Sequence, residues 1–169
     1  MKKKVWVCDE QIQKFEKIRD IEMKELTHMH LTVNARVDRK FLELPREKAQ
    51  KFVDELMVVT NMRPLGQLNW SDAVDLDFPG QSFVQMITTS HCSLHFFRDE
   101  EGAGESNEVY FDLYSCKDFN YESVVNLIDK HFGVVDWHGI LYNRASNKKP
   151  VVMVVGSEKK KVKSMNYKM

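Results

Sequence analysis

The chain has 169 residues, 43% of them hydrophobic and 30% charged, enough for one compact domain with a sizeable core and too apolar for a disordered segment. Twenty-five basic side chains balance twenty-five acidic ones, so no global field argues for a nucleic-acid partner, and the basic residues gathered in "MKKK" and "EKKKVKSMNYKM" read as solubilising tails. No apolar run approaches the ~20 residues of a bilayer span, and "MKKKVWVCDEQ" turns charged before a secretory apolar region of ~7 to 15 residues develops, so no membrane contact and a cytoplasmic location are expected.

No repeat, low-complexity linker or Gly/Ser-rich boundary divides the chain, which reads as a single domain over 1–169 with a helical extension at 1–26 and a basic tail at 158–169. In "CDEQIQKFEKIRDIEMKEL" the apolar residues Ile12, Phe15, Ile18, Ile21 and Leu26 recur near a 3.6-residue period, which predicts an amphipathic helix serving as a packing extension or an oligomer contact. "HMHLTVNARV" alternates His28, His30, Thr32 and Asn34 with Met29, Leu31, Val33 and Ala35, the pattern of a half-buried strand. "LPREKAQKFVDELMVVTNM" predicts a helix with Pro45 in its first turn and Phe52, Val53, Leu56 and Met57 as its core stripe.

Pro64, Gly66, Pro79 and Gly80 break the next stretch into short extended pieces and turns. "QSFVQMITTS" and "HCSLHFFRD" read as consecutive strands, "EEGAGESNE" as a long hairpin turn, and "VYFDLYSC" as the returning strand. "NYESVVNLIDKHFG" is a helix capped by Asn120 and closed by Gly133. "VVDWHGILYN" and "KPVVMVVG" supply two more strands. Strands outnumber helices in this order, which predicts an α+β two-layer sandwich, an antiparallel β-sheet with helices packed on one face.

The chemistry concentrates in "TTSHCSLHFF". Alternation puts His91, Ser93, His95 and Phe97 on one face and Cys92, Leu94 and Phe96 on the other, and a strand with one wet face is the plain reading. Two histidines four residues apart on a strand do not converge on a metal as they would on a helix, and no third ligand stands out. The three cysteines, Cys8, Cys92 and Cys116, have no CxxC or CxxH spacing, and their odd number suits reduced thiols, so no metal is expected. "MHLTV" and "SHCSL" both fit an apolar-His-x-Ser/Thr-apolar pattern similar to that of two-histidine phosphoesterases. There His30 and His91 would be base and acid, with Thr32 and Ser93 on the phosphate.

A longer pattern extends past the histidines. Ser90-His91-Cys92-Ser93-Leu94-His95, then Asp112-Leu113-Tyr114-Ser115-Cys116, with Ser82 eight positions before Ser90, resembles the small bacterial and archaeal S-adenosylmethionine decarboxylases of polyamine synthesis. The match runs over roughly 80–132. The resemblance implies that Ser90 Oγ attacks the carbonyl of Thr89 in an N-to-O acyl shift, and that β-elimination from the ester cleaves the chain and leaves a dehydroalanine, which hydrolyses with loss of ammonia to a pyruvoyl group in place of Ser90. It also implies His95 as a base in the elimination and Ser82 as a residue arranging the ester. The pyruvoyl ketone would condense with the substrate's amine and draw off the electrons released with carbon dioxide. Cys116 would return a proton to the substrate, since a free thiol is mostly protonated at neutral pH.

Such proteins are small-molecule enzymes, and the smaller members suggest a homodimer. Three features depart from the family pattern: Thr89 stands where a glutamate is common; "VDLDFPGQSF" lacks the usual histidine and has Phe83 in place of a small residue, leaving Phe78 as the residue proposed to stack on adenine and another amino acid open as the substrate; and "EEGAGESNE" lengthens the gap between His95 and Cys116. The alternatives are a non-processing relative acting as a binding or regulatory protein, and the phosphoesterase.

Overall fold

The computed structural model describes residues 28–41, 43–73, 79–98, 107–144, 151–158 and 161–168. The predicted helix before residue 27, Phe78, and most of the long hairpin turn lie outside these residues. In chain order the elements are β1 (Met29–Val37), α1 (Arg46–Thr60), β2 (Asn69–Ala73), β3 (Gly80–Ile87), β4 (Ser90–Phe97), β5 (Asn107–Ser115), α2 (Tyr121–Phe132), β6 (Val134–Asn143), β7 (Val151–Glu158) and β8 (Lys161–Lys168). The eight strands form one sheet in the order β2-β3-β4-β5-β1-β6-β7-β8, and every pairing is antiparallel. Two expectations change in detail. The segment read as a basic tail carries β8, and the stretch read as broken extended pieces contains the edge strand β2.

Each central strand presents alternate residues to the two helices. Leu31 and Val33 of β1, Leu94 and Phe96 of β4, and Phe111 and Leu113 of β5 are buried against Phe52, Val53 and Leu56 of α1 and Val124 and Ile128 of α2. Phe52 sits at the middle of this layer, with ring centroids 6.0 Å from Phe83, 5.8 Å from Phe111 and 5.6 Å from Phe132. Tilted and edge-on contacts of this kind add to the stabilisation from burial alone. The antiparallel sheet with both helices on one face is the predicted α+β sandwich.

The helix ends follow from local chemistry. Pro45 is the residue immediately before α1, one step earlier than expected, and α1 closes on Asn61 in the left-handed conformation (φ 51°). Asn120 caps α2 by accepting from Ser123 N at 2.9 Å, and Gly133 ends it with φ 64°, a backbone state glycine enters without a Cβ clash. β2 and β3 are tied to the start of α1 through Gln81, which accepts from Leu44 N (3.1 Å) and donates to Asp72 (2.9 Å).

Between the helices Glu55 accepts from Lys130 Nζ (2.7 Å) and His131 Nε2 (3.0 Å). These hydrogen bonds, Lys130's first, lower its carboxyl from the ordinary 4.5 to about 2 against the opposing effect of burial. A carboxylate held lower in the folded state than in the unfolded one stabilises the fold above its unfolded value, and loses that effect as the pH falls through its folded value. The melting-temperature advantage of the native chain over Glu55→Gln should therefore be full at neutral pH and vanish as the pH drops from about 4.5 to about 2. An advantage that stays constant over this window would remove the Lys130–His131 cluster from the account. In the core, Phe52→Ala should cost about 3–5 kcal/mol in denaturant unfolding.

Candidate active site

The face of the sheet turned away from the helices carries the polar residues in ordered rows. At one end of the strands His91, Tyr114, His30 and Tyr142 lie side by side across β4, β5, β1 and β6; two residues further along come Ser93, Asp112, Thr32 and Ile140; beyond them His95, Tyr110, Asn34 and His138. β3 adds Met86, Val84 and Ser82 to the three rows in turn. The alternation expected for β1 and β4 is thus what sets this face.

Thr88 and Thr89 form the tight turn between β3 and β4, and the turn is held from both sides. Thr88 N donates to Arg63 O at 3.0 Å and Leu65 N to Met86 O at 2.7 Å on one side. On the other, Cys116 N donates to Thr89 O at 3.1 Å, one step past the Ser90–Ser115 pair that opens the β4–β5 ladder. Neither threonine takes a positive φ; the departure falls on Ser90, with φ 156°, outside the ordinary range of an L residue. Thr89 Oγ1 is buried and has no hydrogen-bond partner among the described residues. Ser90 Oγ stands 3.2 Å from His91 Nδ1.

The sequence-predicted residues therefore fall into two pairs. Ser90 and Cys116 meet at the turn, Cys116 exposed and its amide on the carbonyl of Thr89. The long connection between β4 and β5 does not disturb this, because the ladder runs unbroken from Ser90 opposite Ser115 to Phe97 opposite Glu108. Ser82 and His95 are register partners at the far end of the face, with Ser82 Oγ 2.8 Å from His95 Nδ1. Five residues of strand separate Ser90 from His95, roughly 16 Å at the usual rise, so the two pairs do not meet within one chain.

Residues 29–144 match the family model for S-adenosylmethionine decarboxylase. The chain belongs to that family. No curated protein matches it. Membership supports decarboxylation of S-adenosylmethionine as the class of chemistry, and the geometry bears on the competing use of the same histidines. In a two-histidine phosphoesterase the phosphate would lie between His30 and His91. Here β5 separates them, and each packs on the intervening Tyr114 ring with centroids 5.9 Å away. His30 is further engaged by Tyr142 Oη at 2.7 Å and Asp112 Oδ1 at 3.1 Å.

Sequence reasoning missed the part of Tyr114, which touches His28, His30 and His91 and lies under the Arg144 guanidinium at 4.5 Å. Its position in "DLYSC", pointing the same way as Asp112, was the available signal. A polar hollow of about 290 Å³ lies between Asn34, Arg36, Glu108, Tyr110, Asp136 and His138. There the Arg36 guanidinium, paired with both oxygens of Asp136, holds that carboxyl below its ordinary range. No three His, Cys, Asp or Glu side chains converge on a metal-sized space among the described residues, and no helix among them is long and apolar enough to cross a membrane.

The two described thiols differ sharply. Cys92 is fully buried under the helices and burial pushes it up to about 12, whereas Cys116 is exposed. In a Cys8→Ser chain a water-soluble disulfide reagent should titrate one thiol at once and the second only after unfolding. Equally fast reaction of both would contradict the inward orientation of Cys92 on β4.

Proposed function

We propose that the chain is a self-processing, pyruvoyl-dependent decarboxylase that converts S-adenosylmethionine to its decarboxylated form for polyamine synthesis, and that it works as a homodimer. The observation that carries the reading is the Thr89–Ser90 peptide itself: a serine at a clamped turn, with the Cys116 amide on the carbonyl its hydroxyl would attack.

A serine Oγ always lies near the preceding carbonyl carbon, so the acyl shift needs no rearrangement of the fold. What it needs is a nucleophilic oxygen and a donor for the negative charge that develops on the carbonyl oxygen. Cys116 N–H, 3.1 Å from Thr89 O in the starting amide, supports the second requirement, because a preorganised donor strengthens its bond as charge builds up. Elimination then requires a base at the residue-90 α-carbon, the role assigned to His95, with Ser82 orienting its ring through the 2.8 Å hydrogen bond.

The surroundings of Ser90 fit a pyruvoyl group made from it, since an amide donor and an exposed thiol flank the bond that would break. Such a group supplies a ketone that takes up the electron pair left when carbon dioxide departs. Cys116, one residue past the Ser90–Ser115 pair, would hand a proton from its thiol to the substrate's α-carbon. Phe78, ahead of β3, is the residue proposed to stack on the adenine.

The separation of the two pairs supports the homodimer. The open sheet face exposes Val84, Met86 and Ile140 among its polar rows, which suits burial against another sheet. A two-fold axis lying between two such faces and perpendicular to the strands reverses strand direction. It lays the Ser90 end of one copy over the Ser82–His95 end of the other, giving two equal sites.

Two variants test this together. Ser90→Ala alone and His95→Ala alone should each abolish scission and carbon dioxide release from carboxyl-labelled S-adenosylmethionine. Co-expressed, they form mixed dimers in which one site has both Ser90 and His95, so scission and decarboxylation should return. Mixed dimers that stay silent would rule out the shared site, and a Ser90→Ala chain that still cleaves at this bond would rule out the serine.

A further inference from the structure

The Ser90 hydroxyl has a base of its own within the same chain. Neighbouring residues of a regular strand point to opposite faces, so Ser90 and His91 should not meet. Ser90, which opens β4 with φ 156°, nonetheless holds its Oγ 3.2 Å from His91 Nδ1. The His91 ring is steadied against Tyr114, 5.9 Å between centroids, and its register partners on the two flanking strands are Met86 and Tyr114. Nδ1 therefore faces the one hydroxyl whose proton the acyl shift must remove.

We propose that His91 is the catalytic base of the acyl shift, so that a single chain holds nucleophile, base and oxyanion donor for this first half of processing, leaving the elimination to the partner's His95. The inference rests on the decarboxylase reading above. As Ser90 Oγ bonds to the Thr89 carbonyl carbon, its proton passes to His91 Nδ1, and the carbonyl electron pair moves onto oxygen, opposite the Cys116 N–H. When the bond between the Thr89 carbon and the Ser90 nitrogen breaks, the imidazolium returns the proton to that nitrogen. The peptide becomes an ester with a free amine on residue 90, and no atom is gained or lost.

Freshly made protein can be followed by intact mass with and without hydroxylamine, which cleaves an ester between residues 89 and 90 but leaves a peptide alone. His91→Ala and His91→Gln, on the open face and outside the core, should slow scission by about 100-fold or more, the usual worth of a general base. Neither should build up hydroxylamine-sensitive ester, and added imidazole should speed scission of His91→Ala. His95→Ala should instead accumulate the ester. His91 variants that accumulate ester, or that process within about threefold of the native rate, would overturn the assignment while leaving the decarboxylase reading intact. A native chain that never cleaves would overturn both.

Discussion

Cys116 N–H reaches the carbonyl of Thr89 because β4 and β5 pair with Ser90 opposite Ser115, and the rest of the site depends on that register. A slip of one residue would turn every β4 side chain to the other face, sending His91, Ser93 and His95 into the helices and Cys92, Leu94 and Phe96 into solvent. Burial of those three apolar residues makes such a slip costly, by about 1.5–3 kcal/mol for each large side chain exposed. The packing of α1 and α2 on one face is thus what fixes the candidate site residues on the other, and the Thr88–Thr89 turn is held from both sides.

The candidate residues stand in two separate groups. Ser90, His91 and Cys116 gather at one end of the strands, while Ser82 and His95 form a hydrogen-bonded pair at the other. A rigid sheet cannot fold one end onto the other, because antiparallel ladders on both sides of β4 resist bending. Bringing the ends together by a second copy costs no internal strain. The proposed homodimer would also cover the exposed Val84, Met86 and Ile140, the least favourable surface of a single chain.

Much of this was legible in the residues. Period-two alternation in "HMHLTVNARV" and "HCSLHFF" set the two faces, and Asn120 and Gly133 marked the ends of α2 where the structure has them. β2 was hard to read because "NWSDA" is rich in turn-forming side chains; it pairs as an edge strand with help from Trp70 Nε1 on Leu44 O and from the Gln81–Asp72 bond. β8 was hidden by its lysines, which read as a solvated tail, although charge on an edge strand is common. The serine, histidine and cysteine motif named residues that the structure gathers at two ends of one sheet. Their separation did not show in the motif, since five positions look close in sequence and span roughly 16 Å on a strand. The Ser90–His91 contact was hidden for the opposite reason, because strand alternation places neighbouring side chains on opposite faces.

The central claim is that the Thr89–Ser90 bond is one the chain breaks itself, and intact mass spectrometry of the purified protein tests it most directly. The account predicts two fragments, one ending in the unmodified carboxylate of Thr89 and one beginning at residue 90 with a blocked, carbonyl-reactive end in place of an amine. A single uncut chain of 169 residues, stable over days under conditions where the protein is folded, would contradict it.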